Sequence, residues 1–157
     1  MNANATHVAP IKATSRLNFF HHGPEAMQAM EALEHRIAQC DLDKALVELV
    51  RLRVSQVNGC AYCIDRHARD ARAHGVDDRR IALLPVWRDT TLFTDRERAA
   101  LAWAEALTRV ADAHVPDTIW EQVAAVFAPA QLVDLTLVVT TTNAWNRFAI
   151  GFRKLPV

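Results

Sequence analysis

Apolar residues return every three or four positions along most of this chain, the spacing of one face of an α-helix. Met27, Met30, Leu33, Ile37 and Cys40 make such a face between Pro24 and Cys40. Leu46, Val50, Val54 and Val57 make another from about Leu42 to Val57, with Asp41 placed to cap it. Asn58-Gly59 breaks the pattern, and Ile64, Ala68 and Ala71 resume it after Cys60. Beyond Gly75, Asp77 or Asp78 starts a segment through Ile81 and Leu84 that Pro85 interrupts or kinks. Thr94-Asp95-Arg96-Glu97 is a capping box, and its helix carries Leu101, Ala104 and Leu107 on the apolar side. Pro116 and Asp117 suit the start of a helix through Trp120, Val123 and Phe127, and Pro129 begins the last one, running toward Phe152. The pattern predicts one all-α domain over residues 16–157, of about six to eight helices, with Cys60 at a helix N-terminus. Residues 1–15 show no period and are expected to form a mobile arm.

The last segment contains the β-branched run Val138 to Thr142, which favours a strand, but its length and flanks predict a helix. That helix is apolar over most of its circumference. It therefore needs cover on more than one side, and another subunit would supply part of it. Asn143, Trp145, Asn146 and Arg147 on this segment are read as helix contacts and buried hydrogen bonds rather than a ligand cluster. Trp87, Trp103, Trp120 and Trp145 are read as core or interface residues.

Composition changes this picture little. Hydrophobic residues make up 51% and charged residues 23% of the chain, ordinary values for a soluble domain. The formal net charge is +0, so nothing pulls the molecule toward nucleic acid or an anionic membrane. No signal peptide or spanning segment is visible, and a cytoplasmic location is expected. There is no GxGxxG and no P-loop, so no nucleotide cofactor is indicated, and none of any kind is expected.

The candidate chemistry lies in Cys60-Ala61-Tyr62-Cys63. Two thiols three apart can close a short disulfide and reopen it. At roughly 100° per residue, Cys60, Cys63, His67 and His74 share an arc of about 60° on the helix, with Asp70 at its edge. Tyr62, Arg66, Arg69 and Arg72 point away from it. A pair in the first turn gains from the free N–H groups and the helix dipole, which favour a thiolate. A lone CxxC can also be half a zinc site, but no second CxxC or HxxxH exists here. A three-ligand set of Cys60, Cys63 and His67, or two buried inert cysteines, remain alternatives. Cys40 is read as a small buried hydrophobe. His74 reads as a helix C-terminal residue before Gly75. The adjacent His21 and His22 do not face each other on a helix and are not read as ligands. Periodicity puts Glu48 on the polar arc of its helix with Arg51 and Ser55, a solvated glutamate pairing Arg51 and not near the thiols.

The segment ELVRLRVSQVNGCAYCIDRHARDARAHG resembles the core motif of the AhpD-like alkylhydroperoxidases, within the carboxymuconolactone decarboxylase superfamily. The family pattern is a Glu, eleven residues, CxxC, three residues and a His, which Glu48, Cys60, Cys63 and His67 match without a gap. RLNFFHHGPEAMQAMEALE, TDRERAALAWAEALT and LVDLTLVVTTTNAWNRFAIGF extend the likeness over most of the chain beyond about residue 16. The resemblance implies an AhpD-like helical bundle that assembles as a dimer, trimer or hexamer. It also implies a thiol-dependent peroxidase, with Cys63 attacking the peroxide, Cys60 resolving, and Glu48 with His67 relaying protons. The implied partners are a peroxide substrate and a thiol or dithiol reductant, such as a thioredoxin-like or lipoylated protein. One position departs from the best-known members: Tyr62 stands where a second histidine precedes the attacking cysteine. A phenol with a pKa near ~10 is a poor base at neutral pH. The reading from another class is a non-enzymatic helical oligomer that holds zinc or senses redox state.

Overall fold

The computed structural model describes residues 14–156. Helices α1 (Phe19–His22), α2 (Pro24–Ala38), α3 (Lys44–Asn58) and α4 (Ala61–Ala73) form the first half. α5 (Asp78–Leu83) runs into a 3₁₀ segment at Leu84–Asp89, where Pro85 allows no regular α-helix to continue. α6 (Asp95–Thr108), α7 (Val110–Ala113), α8 (Asp117–Ala124) and α9 (Pro129–Gly151) complete the bundle. The fold is all-α, and no strand occurs among the described residues. The nine α-helices described exceed the expected count because α1 and α7 are single turns of four residues each. The arm expected at 1–15 lies outside the described residues except for its last two. Of these, Ser15 donates its hydroxyl to the Phe152 carbonyl at 3.1 Å.

The breakers and caps act largely as the sequence implies. Thr94 and Glu97 close a reciprocal capping box on α6. Asp77 caps α5 by accepting from Arg80 N. The cap of α3 is Asp43, accepting from Leu46 N at 2.9 Å, and not Asp41. The helix starts two residues later than its apolar period suggests, because Leu42 is buried from the preceding turn. α9 is helical through its β-branched run. Thr142 returns its hydroxyl to Val138 O at 2.7 Å, and Val138 and Val139 are wholly buried.

α3 is the centre of the molecule. Its apolar residues feed two cores. Val50 and Val54 pack with Ala100 and Ala104 of α6 and Leu135 and Val138 of α9. Leu49 and Leu52 pack on the other side with Ala71, Leu84, Trp87 and Leu101. The polar arc expected to be solvated is buried as well: Glu48, Arg51 and Ser55 are 8%, 9% and 0% exposed. The reason is that α4 and α9 lie across that arc, which a single-helix period cannot reveal. Trp87 and Trp103 are core residues, whereas Trp120 is 49% exposed.

Glu105 of α6 is a half-buried anchor for a second set of charges. It accepts from Arg53 Nε of α3 at 2.6 Å, from Trp87 Nε1 at 2.9 Å and from Arg88 at 2.5 Å. Burial raises the pKa of this carboxyl, and the bonds from Trp87, Arg88 and Arg53 outweigh it, so it lies below the ordinary value. Removing it strands the sheltered Arg53 guanidinium. Glu105→Ala should therefore cost about 2–3 kcal/mol in urea unfolding. An unchanged midpoint would show that Arg53 finds another partner.

Candidate functional site

The break between α3 and α4 sets the site. Gly59 adopts φ +68°, a left-handed conformation that favours glycine, and lets the chain reverse. Gly59 N donates to Gln56 O and Cys60 N to Ser55 O, which closes the end of α3. Asn58 then locks this corner to α9, donating to Asn143 Oδ1 at 2.9 Å and Asn146 Oδ1 at 2.8 Å. Asn146, wholly buried, returns a bond to Ser55 Oγ. The asparagines singled out in the last segment are thus structural pins.

Cys60 becomes the N-cap of α4, its sulfur accepting from Cys63 N at 3.3 Å. Cys60 and Cys63 are joined as a disulfide, with Cα atoms 5.3 Å apart. Both are buried, at 1% and 4% exposure, but their surroundings differ. Cys63 lines a cavity of about 230 Å³, and Cys60 does not. Cys40 is the free thiol, buried in the first core as expected.

His67 sits one turn after Cys63, is buried and lines the same cavity. Its Nδ1 lies 2.9 Å from Glu48 Oε2. An ionised carboxylate only accepts, so Nδ1 donates to it, and whenever the ring is neutral Nε2 is its basic nitrogen. Burial raises the pKa of Glu48 most strongly of the single effects. The His67 hydrogen bond and the charges of His67, Arg51 and His74 together outweigh it, and the carboxyl lies below its ordinary value of 4.5. The structure therefore brings together all four residues of the sequence motif. Only the placement of Glu48 read from periodicity needs correction. It does sit near Arg51, at 3.7 Å, but in the interior against α4.

Two further expectations change. Tyr62 and Arg66 line the cavity instead of pointing away, because α1 and the chain after α9 fold over the start of α4. Arg69 and Arg72 are exposed as expected, paired with Asp65 and Asp78. His21 and His22 are exposed, yet their rings meet edge-on at 4.8 Å. The other walls include Phe19 and Phe20 of α1, Glu31 and Glu34 of α2, Trp145 of α9 and Lys154. Glu34 accepts from Arg51 at 2.6 Å and from Trp145 Nε1 at 2.9 Å. These wall residues come from both ends of the chain, so nothing local in the sequence groups them, and Trp145, read there as a helix contact, lines the cavity as well. The alternative zinc set of Cys60, Cys63 and His67 requires both thiols reduced, and in this structure the two sulfurs are joined. Glu48, His67 and Asp70 do offer ligand atoms within 4.8 Å of one another, the one such group among the described residues.

Residues 24–106, more than half of the chain, match the profile of the Carboxymuconolactone decarboxylase family. The chain is 36% identical over 138 residues to the uncharacterized protein YdfG of Bacillus subtilis, covering 88% of this chain and 94% of that one. A solved structure of Agrobacterium tumefaciens ATU0492, a protein of unknown function suggested to be an AhpD antioxidant defence protein, superimposes with a TM-score of 0.89. It is 36% identical and covers 92% of this chain and 99% of that one. A shorter stretch of 40 residues is 50% identical to the alkyl hydroperoxide reductase AhpD of Bradyrhizobium diazoefficiens, 26% of this chain and 22% of that one. With the four motif residues in contact, two of them on one cavity wall, and with these relatives, the chain belongs to the carboxymuconolactone decarboxylase family, on its AhpD-like side.

Proposed function

We propose that the protein is an enzyme of the thiol peroxidase type that reduces a peroxide at Cys63. The observation that carries this reading is that Cys63 and His67 share one cavity wall, while buried Glu48 holds His67 from behind. In the reduced protein, His67 Nε2 takes the Cys63 proton. The thiolate attacks the peroxide: an S–O bond forms, the O–O bond breaks, and the alcohol or water leaves with a proton returned through His67. Cys63 is then a sulfenic acid. Cys60 condenses with it, releasing water and giving the disulfide. A thiol or dithiol reductant restores both thiols. Glu48 stabilises the imidazolium that forms between these steps and fixes the ring. A cytoplasmic setting with its thiol pools suits this cycle. No helix among the described residues is long and apolar enough to cross a membrane.

Assembly belongs to the same proposal. α9 leaves Val133 69% and Ile150 46% exposed. Val133 adjoins an apolar groove formed with Trp103, Trp120, Phe127 and Leu132. A second copy of this chain is the occupant we propose for it, within the dimer, trimer or hexamer that the family resemblance implies.

The division of labour is tested by mixing reduced variants with peroxide and reading each thiol by mass spectrometry. Cys60→Ser should consume one equivalent and hold a sulfenic acid on Cys63, while Cys63→Ser should lose the rapid reaction. The reverse pattern would exchange the two roles.

Glu48→Gln should slow the rapid step by roughly 10²-fold, the lower end for proton-transfer groups. It should also lower folding stability at pH 7. The unfolded carboxyl titrates near 4.5 and the folded one below it, so the unfolded state binds more protons in that window. The wild-type advantage over Glu48→Gln should then be full above about pH 5.5 and shrink as pH falls through the folded pKa. A gap that stays constant into acid would remove the charged form of Glu48 from the account.

For the assembly, light scattering at micromolar concentration should give a multiple of the chain mass, and Val133→Glu should shift it toward the monomer. A monomeric wild type would overturn the interface.

A further inference from the structure

The cavity beside Cys63 contains a cation that no carboxylate of the described residues holds. Arg51 is engaged by Glu34 and Glu48, and Arg66 leans on Asp70 at 3.6 Å. Lys154 has no acidic partner within 4.0 Å among the described residues. Its ammonium instead lies over aromatic faces: 4.3 Å from the Tyr62 ring centre, 5.0 Å from Phe20 and 5.6 Å from Phe19. Ring faces hold a cation in place without neutralising it, and they leave its N–H donors open.

The backbone fixes this placement. At the end of α9, Arg153 N donates to Ile150 O and Lys154 N to Ala149 O. The turn requires φ +51° at Arg153, a left-handed conformation disfavoured for a residue with a Cβ. Arg16 straps the turn, donating its backbone N–H to Phe152 O and its guanidinium to Gly151 O. A disfavoured backbone, tied from a second segment, thus brings a positive charge with no acidic partner among the described residues to the cavity wall beside Tyr62 and Cys63.

The rest of the cavity fits an organic body. Phe20 and Trp145 stack at 6.0 Å with 18° between their planes. The space of about 230 Å³ far exceeds the ~10–15 Å³ that one water needs. Of the two acids on the wall, Glu34 has both oxygens occupied by Trp145 and Arg51, and Glu31 is exposed, where solvent and salt screen it.

We propose that this cavity binds a small organic anion, an apolar or aromatic body carrying one carboxylate, with Lys154 pairing the carboxylate. Joined to the peroxidase reading, on which this second step rests, the preferred substrate of Cys63 is a carboxylated aryl or alkyl hydroperoxide. The carboxylate anchors at Lys154, and the peroxide end reaches the sulfur. Lys154 is then a specificity-determining residue.

The test has a binding arm and a reaction arm, both on the full chain. In the first, calorimetry compares 4-isopropylbenzoate with neutral 4-isopropylbenzyl alcohol on the disulfide form. The acid should bind roughly tenfold tighter, the scale of one charge-assisted hydrogen bond. Lys154→Gln should abolish the preference and Lys154→Arg should keep it. In the second, reduced protein meets 4-carboxycumene hydroperoxide and cumene hydroperoxide, with thiol oxidation followed by stopped flow. The ratio of the two rate constants should favour the acid by a similar factor in wild type and fall toward one in Lys154→Gln. Equal binding of acid and alcohol by wild type, or a preference that survives Lys154→Gln, would overturn the anion site. Acid-selective binding without peroxide reaction would uphold the site and overturn the peroxidase reading. Equal reaction with both peroxides and no binding preference would do the opposite.

Discussion

A helix with no water to turn to must have its charges met by protein. From Leu46 to Ser55, α3 has no exposed residue, and within that run it carries Glu48, Arg51, Arg53 and Ser55. Each is met from a different element: Glu48 by His67 of α4, Arg51 by Glu34 of α2, Arg53 by Glu105 of α6, and Ser55 by Asn146 of α9. An unpaired charge there would cost several kcal/mol, on the order of the stability of a whole domain. The demand therefore fixes more than the packing of apolar faces does. It sets which side of every neighbouring helix meets α3, and so where the catalytic imidazole of the proposed mechanism stands.

The same constraint explains what the sequence reveals and what it hides. Helices were legible because their apolar stripes, prolines and caps are local. Thr94 with Glu97, Asp77, Gly59 and Pro129 all act within a few residues of where they stand. The burial of the second face of α3 was not legible. Seen alone, Glu48, Arg51 and Ser55 form an ordinary solvated arc. Only the arrival of α4 and α9 turns that arc inward, and arrival is a property of the whole bundle. The cap shift from Asp41 to Asp43 has the same origin, since burying Leu42 in the first core fixes the turn before α3.

The site divides along the same line. Cys60, Cys63 and His67 lie on one short helix, and local geometry was enough to group them. Glu48 joins the group only through the resemblance to the family motif, which spans the α3–α4 corner that periodicity cannot see. Phe19, Glu34, Trp145 and Lys154 carry no such record. They reach the cavity from both ends of the chain, and Lys154 does so only because Arg153 accepts a left-handed backbone.

The geometry also bears on why the second cysteine, rather than the first, would meet the substrate. Acidity does not separate them well. Cys60 is the N-cap of α4 and Cys63 is in its first turn, so the free N–H groups and dipole favour a thiolate at both. Nearness to the helix end would even favour Cys60. Access argues the other way. Cys60 is packed against Ala149 and Tyr62 at 1% exposure, with its sulfur already taking the Cys63 N–H. Cys63 opens on a cavity that also holds His67 and the Lys154 side chain. A buried resolving thiol beside a cavity-facing attacking thiol is a useful order. In the proposed cycle the peroxide would meet the sulfur that has a base beside it, and the sulfenic acid it leaves would meet a thiol sheltered from a second peroxide.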